Sequence, residues 1–274
     1  ETVFTIGNGY LGTRGSFEEG YPQDIAATII NGVFDDVPIV YTELANCPDW
    51  LPFNLSINGE SFRLDHGTIL KYERSLDLQQ GLLCRKIRWR SPNGRTVDLQ
   101  FERWASMADP HLLAVRCDIC PVDFDGFVEV QSSLNGYPEN QGFNHWELIQ
   151  QGKGEQLIWL SSRTRGSRIN LGMTAKMNSI GADTPLHSTS VPGYPTLSTT
   201  FLVNAGERYA VEKIVTVLTS RETDNPLEAA LTKQAALSDY KTLRSEHIDA
   251  WTEVWSKSDS DIEGDSKAQL AIRY

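Results

Sequence analysis

The feature that most constrains the fold is a series of short segments in which apolar and polar residues alternate. Side chains two residues apart on a strand point to the same face, so each segment predicts a half-buried strand. Turn residues separate the segments, and no helical pattern appears between them before residue 223. Many short strands joined by turns predict an antiparallel β-sandwich or barrel. The clearest shared faces are Leu113/Val115/Cys117/Ile119, Val128/Val130/Leu134, Ile169/Leu171/Met173/Ala175/Met177 and Tyr209/Val211/Val215/Val217.

The best-defined hairpin joins two alternating segments around the sequence Pro92-Asn93-Gly94. The apolar faces of its two arms coincide only if Trp89 lies opposite Val97. That register leaves a three-residue loop, in which Pro suits the first position and Gly the left-handed third. It also places Arg88 opposite Asp98 on the polar face, which is a favourable cross-strand pair.

The pattern becomes helical near residue 223. Asn225-Pro226-x-Glu228 combines a cap, a proline at the first helical position and a glutamate at the third. No Gly or Pro follows until after Lys257, so one long helix or two in succession are predicted there. Trp251 and Trp255 lie four apart on one helical face and are predicted to be packing anchors. A further helix is predicted from about residue 265 to Tyr274.

Residues 5–20 contain five glycines in sixteen positions. The spelling Gly7-x-Gly9-x-x-Gly12 matches the dinucleotide-binding fingerprint, which needs a helix opening within it. Further glycines and Pro22 interrupt every helical register that follows. A glycine-rich bend between two strands is therefore the favoured interpretation.

The same stretch, E-T-V-F-T-I-G-N-G-Y-L-G-T-R-G-S-F-E-E, resembles the opening of the glycoside hydrolase family 65 proteins. This family includes the maltose, trehalose and kojibiose phosphorylases and the acid trehalases. Later segments fit the same resemblance: L-A-N-C-P-D-W-L-P at 44–52, E-R-W-A-S-M-A-D-P-H-L at 102–112, and H-I-D-A-W through I-E-G-D to A-I-R-Y at 247–274.

The resemblance implies a fold and a division into domains. Residues 1–222 would be the N-terminal domain, a large antiparallel β-sandwich of the super-sandwich type. Residues 223–260 would be a helical linker, and 261–274 the start of a truncated (α/α)6 catalytic barrel. The missing barrel would then be the partner of this chain, and a homodimer is expected.

The resemblance also implies a non-catalytic role for this chain. The general acid, a Glu in the barrel, is expected beyond Tyr274, so no catalytic residue is assigned here and the chain alone should be inactive. The parent enzyme would cleave an α-glucosidic disaccharide by inverting phosphorolysis and release β-glucose 1-phosphate. Inorganic phosphate would be the co-substrate, with no cofactor. Two alternatives stay open: an α,α-trehalase-type hydrolase, and a free-standing carbohydrate-binding sandwich without catalysis.

Asn8, Tyr10, Arg14 and Glu18 are predicted to face the missing barrel or the rim of its active site. A plain bend needs one or two glycines and has no use for Arg and Glu among them. The alternative is that Arg14 and Glu18 pair within the sandwich and serve only the fold.

A second candidate site is the loop 135–146, which is rich in Asn, Gly and aromatic residues. Loops of this composition bind sugars by stacking and hydrogen bonding. Tyr137, Asn140, Asn144 and Trp146 are the predicted contacts. An ordinary long surface connection is the equally weighted alternative.

Composition excludes several classes of partner. The net charge of −11 argues against a nucleic-acid phosphate track. No apolar run approaches the length of a membrane span. Four cysteines in 274 residues are sparse, which predicts a reducing, cytoplasmic location. Cys117 and Cys120 have zinc-like spacing but lie on a predicted strand, where their thiols diverge, so no metal site is predicted.

Overall fold

A computed structural model describes residues 2–37, 41–182 and 184–273. The fold over these residues is mainly β, with three α-helices that follow the last strand and a 3-10 turn at Thr2–Phe4. The strands are β1 (Ile6–Gly7), β2 (Leu11–Thr13), β3 (Thr28–Val37), β4 (Tyr41–Asn46), β5 (Phe53–Ile57), β6 (Glu60–Ser61), β7 (Thr68–Asp77), β8 (Leu82–Arg90), β9 (Thr96–Ala105), β10 (Leu112–Pro121), β11 (Gly126–Ser133), β12 (Trp146–Lys153), β13 (Leu157–Thr164), β14 (Asn170–Ile180), β15 (His187–Val191), β16 (Tyr194–Val203) and β17 (Tyr209–Thr219). The helices are α1 (Pro226–Ala236), α2 (Tyr240–Ser258) and α3 (Ser266–Arg273).

The strands form three antiparallel sheets, which confirms the predicted sandwich. The largest has eight strands in the order β12-β13-β14-β17-β10-β9-β8-β7. A five-stranded sheet, β15-β16-β11-β5-β6, and a four-stranded sheet, β1-β2-β3-β4, supply the other layer. One continuous apolar core joins all three sheets, with Trp89, Phe53 and Ile30 among its fully buried members. Burial of this much apolar surface is the main favourable term for folding.

The hairpin β8–β9 has the predicted register. Trp89 lies opposite Val97, and Gly94 adopts the left-handed conformation at φ +89°. Arg88 donates from Nε and Nη2 to the two carboxylate oxygens of Asp98, at 2.7 Å each. The alternation of side chains and the chemistry of the turn were enough to fix this register.

Helices α1 and α2 cover the outer face of the eight-stranded sheet. A second apolar cluster forms there between Leu82, Trp104 and Leu112 of the sheet and Tyr240 and Leu243 of α2. The helical region 223–258 is thus two helices packed on the sandwich. The predicted boundary at 222/223 falls in the connection between β17 and α1.

Gly172 permits the closest approach between α1 and the sheet. A Cβ atom at this position would lie 2.4 Å from the Cα atom of Leu227, a distance that real Cβ contacts do not reach. Helix α1 therefore rests on the backbone of β14, with no side chain between them at this point.

Polar contacts also bind α2 to the sheet. The hydroxyl of Tyr240 donates to Glu102 (3.0 Å) and accepts from the indole of Trp104 (3.1 Å). Arg244 donates to both carboxylate oxygens of Glu102, at 2.6 and 2.9 Å. His247, fully buried, stacks on Trp104 at 5.0 Å.

Trp251 and Trp255 near the end of α2 are packing anchors, as predicted, and they contact the turn between β7 and β8. Their rings stack at 6.1 Å, and the indole of Trp255 donates to the carbonyl of Leu78. The turn residue Gly81 lies directly beneath Trp251. The next helix is α3, which ends at Arg273, so the predicted continuation to Tyr274 lies outside the described residues. Among the described residues, no helix is both long and apolar enough to cross a membrane.

The four cysteines are all unpaired. Cys117 points into the core, whereas Cys120 is half-buried on the other face of β10. Burial raises the pKa of the Cys47 thiol to about 12. Within the described residues, no group of three or more His, Cys, Asp and Glu side chains could hold a metal ion.

The buried imidazole of His247 makes the stability of the domain depend on pH. Burial lowers its pKa to about 4, against about 6.5 in an unfolded chain. The unfolded state therefore binds a proton that the folded state does not, and stability falls as the pH drops from about 6.5 to 4. We expect a loss of about 2–3 kcal/mol from this group, measured by urea unfolding at a series of pH values.

His247→Gln should flatten that part of the pH profile, because Gln does not titrate and can still accept from the backbone N–H of Met107, as Nδ1 of His247 does at 3.1 Å. The same substitution at His187, an exposed position of β15, provides the matched control. Equal pH slopes for His247→Gln and the unmodified chain would contradict the prediction.

Candidate functional site

The glycine-rich stretch forms a compact corner around β1 and β2. Gly9 has φ +85°, which favours glycine. The amide of Asn8 donates to the carbonyls of Ser106 (2.7 Å) and Pro110 (3.0 Å), and its oxygen accepts from the backbone N–H groups of residues 10 and 11. Asn8 therefore ties the corner to the loop after β9 within the same domain.

Tyr10 is also anchored within the domain. Its hydroxyl donates to Glu222 at 3.2 Å, and its ring meets His111 edge-on at 4.7 Å. Glu222 in turn accepts from the hydroxyl and backbone N–H of Thr219, at the end of β17. The contact joins the glycine-rich corner to the connection between β17 and α1.

A buried ion-pair cluster follows the corner. The guanidinium of Arg85 donates to Glu18 (2.5 Å) and to both carboxylate oxygens of Glu19, one at 2.7 Å. It also lies over the rings of Phe17 (4.9 Å) and Phe101 (4.5 Å). Burial would raise the pKa of Glu18, but the charges of Arg85 and Arg103 outweigh it and hold that pKa below its usual value.

The burial of Glu18 corrects one expectation. The side chain is 4% exposed and pairs within the sandwich, so it does not present its carboxylate to another domain. Its partner is Arg85, rather than the Arg14 of the alternative prediction. Sequence alternation hid this pairing, because Arg85 and Arg103 occupy inner-face positions of β8 and β9 that a simple pattern assigns to apolar residues.

The backbone of Arg14 is hydrogen-bonded within the corner. Its N–H donates to Ala27, and its carbonyl accepts from the fully buried Arg103 at 3.2 Å. The side chain is half-buried. The interface role of Asn8, Tyr10 and Arg14 stays a prediction.

Three of the four predicted sugar contacts in the loop 135–146 are hydrogen-bonded within the domain. Asn140 accepts from the backbone N–H of Asn46 (2.8 Å) and donates to a carbonyl of β4. Asn144 accepts from the N–H of Trp146 at 2.7 Å. Trp146 itself is 1% exposed and donates to the carbonyl of Asn46 at 2.7 Å. A buried indole with a bonded N–H has no free face for a sugar, so the expectation for Trp146 is corrected.

Tyr137 is the loop residue that presents an aromatic ring to solvent. It is 43% exposed, and so is Tyr194 at the turn between β15 and β16. The two ring centroids lie 5.9 Å apart with an interplanar angle of 56°. Gly193 allows this contact, because a Cβ there would lie 1.9 Å from the ring of Tyr137. The sequence did not pair these two tyrosines, which are more than fifty residues apart.

His145 is the functional candidate that the sequence analysis missed. It is 1% exposed, with Nδ1 3.0 Å from Oδ2 of Asp35 and Nε2 2.9 Å from Oε1 of Glu43. A neutral imidazole has one N–H and can donate to one carboxylate only, whereas the imidazolium can donate to both. The sequence around His145 does not predict this contact, because both carboxylates come from β3 and β4, about a hundred residues earlier in the chain.

The ion-pair cluster yields a testable change. Arg85→Met should destabilise the chain by about 3–5 kcal/mol, because Glu19 would lose the guanidinium bonded to it and Glu18 would keep only Arg103, 3.5 Å away. The matched control is Arg88→Met on the same strand, where the bidentate pair with Asp98 is solvent-exposed and a much smaller loss is expected. Both are measured by urea unfolding at pH 7.

Adding Glu18→Gln and Glu19→Gln to Arg85→Met should recover part of the lost stability, because the uncompensated charges are removed. If Arg85→Met were no more destabilising than Arg88→Met, Arg85 would not be needed to compensate the buried charges of Glu18 and Glu19.

Comparison with known proteins agrees with this architecture. The sequence profile described as "Glycosyl hydrolase family 65, N-terminal domain" matches residues 1–254. The chain is 31% identical over 294 residues to the kojibiose phosphorylase of Halothermothrix orenii, and 29% identical over 310 residues to the alpha,alpha-trehalose phosphorylase of Thermoanaerobacter brockii. Both alignments cover 100% of this chain but 37% and 40% of the relatives. The chain thus spans about two-fifths of the length of these curated relatives.

The fold is also found in a solved structure described as "Putative kojibiose phosphorylase from human microbiome". The TM-score is 0.88 at 21% identity, with 100% of this chain and 38% of that chain covered. At this identity the match confirms the fold alone. The sequence profile of the N-terminal domain matches most of the chain. This chain therefore belongs to glycosyl hydrolase family 65 and corresponds to the N-terminal domain of its members.

Proposed function

We propose that this chain is the non-catalytic N-terminal domain of a disaccharide phosphorylase. The observation that carries the proposal is the match of the whole chain to proteins named as phosphorylases, of which it makes up 37–40%. Glu18 and Glu19 line a surface cavity, but both carboxylates are bonded to the buried Arg85, which favours a structural role for them. The general acid is proposed to lie in the part of the enzyme outside this chain.

The proposed reaction is inverting phosphorolysis of an α-glucosidic disaccharide. A carboxylic acid protonates the glycosidic oxygen while inorganic phosphate attacks the anomeric carbon from the opposite face. The C–O bond to the leaving sugar breaks, a C–O bond to phosphate forms, and β-glucose 1-phosphate is released. Phosphate is thus the co-substrate, and kojibiose or trehalose is the substrate that the names of the relatives suggest.

The complete gene should encode a polypeptide that extends well beyond Tyr274. With kojibiose, trehalose or maltose and inorganic phosphate, it should release glucose 1-phosphate, whose β configuration is read by proton NMR. The 274-residue chain alone should release neither this ester nor glucose above a blank. Glucose release by the complete protein without phosphate would instead support the trehalase-type hydrolase, and a gene that ends at Tyr274 would support a free-standing binding domain.

We also propose Tyr137, together with Tyr194, as a weak sugar contact of this domain. Exposed aromatic rings offer a face for the C–H groups of a pyranose. In an NMR titration with kojibiose, Tyr137→Ala should reduce binding to the chain several-fold. The control Phe127→Ala removes an aromatic ring that is 55% exposed on β11 and should have no effect. Equal binding by Tyr137→Ala and the unmodified chain would show that Tyr137 does not contact the sugar.

Two further expectations stay predictions, namely a homodimer and a cytoplasmic location. The four unpaired thiols agree with a reducing compartment.

A further inference from the structure

Helices α1 and α2 leave part of the outer face of the eight-stranded sheet uncovered, and a cavity opens there. It lies over β7, β8, β9 and β10, close to the start of β17, and its volume is about 270 Å³. Pockets for drug-sized ligands usually measure about 300–1,000 Å³, so this cavity suits a smaller molecule. The charged side chains that line it are Lys71, Lys86, Arg88, Arg208, Asp98 and Asp118.

The cavity is basic, although the chain as a whole is acidic. Four cations line it together with two carboxylates, whereas the chain contains 25 Lys and Arg residues against 36 Asp and Glu residues. Both carboxylates already have a cation. Asp98 accepts from Arg88 through both oxygens at 2.7 Å, and Asp118 accepts from Arg116 at 2.7 Å.

The other three cations have no bonded partner. Over the part of the chain that the structure describes, Lys71, Lys86 and Arg208 form neither an ion pair nor a hydrogen bond. Glu73 is the cross-strand partner of Lys86 but does not form an ion pair with it within these described residues. Three cations without a bonded partner therefore line one cavity.

Protection of the sheet edge accounts for one of these cations only. A lysine on an edge strand discourages pairing with another chain, and Lys71 lies on the edge strand β7. Lys86, however, lies on β8, one strand further in, and Arg208 lies just before β17 in the interior of the sheet. A negatively charged ligand explains why all three line the same cavity.

The groups at the two ends of the cavity differ in chemistry. Lys71 and Lys86 lie on adjacent strands at one end, whereas Gln100 and Asp118 are cross-strand partners at the other. Three strand spacings, about 14 Å, separate β7 from β10. Lysines bind phosphate through charge-assisted hydrogen bonds, and amide and carboxylate oxygens accept from hydroxyl groups. A ligand that fills the cavity therefore has an anionic end and a hydroxyl-bearing end.

We propose that this cavity binds the phosphate monoester of a monosaccharide. Lys71 and Lys86 hold the phosphate group, and Gln100, Asp118 and Arg208 contact the sugar hydroxyls. The proposal concerns binding only and goes beyond the proposed phosphorolysis, because none of these residues is assigned to that reaction. A sugar phosphate released by such a reaction belongs to the class of ligand that the cavity accepts.

An NMR titration of the 274-residue chain tests the site with glucose 1-phosphate, inorganic phosphate and glucose as separate probes. Glucose 1-phosphate should shift the backbone amide signals of β7–β10, with a Kd at least fivefold lower than that of either other probe. Added salt should weaken the binding, because the cations are exposed to solvent. Equal affinity for inorganic phosphate, or shifts confined to other strands, would overturn the proposal.

Matched variants separate the two ends of the site. Lys86→Gln should weaken the binding of glucose 1-phosphate and of inorganic phosphate at least fivefold, whereas Gln100→Ala should weaken that of glucose 1-phosphate alone. The control Lys176→Gln removes an exposed cation from β14, which β17 separates from β10, and should change neither. Equal losses for Lys86→Gln and Lys176→Gln would reduce the effect to overall charge and reject the site.

An acidic protein surface is the other partner that free cations attract. If the chain self-associated at low salt, lost this association in Lys71→Gln with Lys86→Gln, and showed no shift with glucose 1-phosphate, the cavity would be a protein contact and the proposal would be wrong. None of these titrations depends on phosphorolysis by the complete protein. Failure of the binding site and failure of the proposed reaction are therefore distinguishable.

Discussion

The guanidinium of Arg85 is the interaction on which the N-terminal corner depends. It satisfies Glu18 and Glu19 and lies over the rings of Phe17 and Phe101, so both its charge and its flat faces are in contact with the domain. A buried ion pair seldom adds net stability relative to apolar residues, but the loss of one member is costly because a charge stays in the interior unpaired. The segment that follows the glycine-rich bend is thus held in one place: Glu18 and Glu19 must meet β8 at Arg85.

Polar groups at inner positions recur throughout the molecule. Arg103 on β9 and Lys213 on β17 are both fully buried. Lys213 donates to the carbonyls of Pro52 (3.2 Å) and Ser133 (2.8 Å), and burial lowers its pKa to about 7. These buried cations donate to backbone carbonyls of the segments that they contact, so each has at least one hydrogen-bond acceptor in the interior. The interior of the sandwich is therefore not uniformly apolar. Buried cations on its strands donate to backbone carbonyls of neighbouring segments.

Local patterns predicted most of the fold. The register of β8–β9 followed from alternation and turn chemistry, and the start of α1 from Asn225-Pro226-x-Glu228, because each signal acts over a few residues. The candidate sites were harder to predict. Glu18 meets Arg85 and His145 meets Asp35 across separations of 67 and 110 residues, so no local spelling reports either contact. The composition of the loop 135–146 suggested a binding site, but Asn140, Asn144 and Trp146 are hydrogen-bonded within the domain, and Tyr137 is the one of the four predicted contacts whose side chain is exposed.

The contact at Gly172 makes helices α1 and α2 part of the same cooperative unit as the sandwich. Helix α1 lies against bare backbone, and α2 covers Leu82, Trp104 and Leu112 on the outer face of the central sheet. A protein engineer who cut the chain at the end of β17 would uncover that apolar strip and invite aggregation. The portion that can be exchanged between relatives extends to the end of α2. Chimaeras joined after residue 258 should keep the outer face of the sheet covered by α1 and α2.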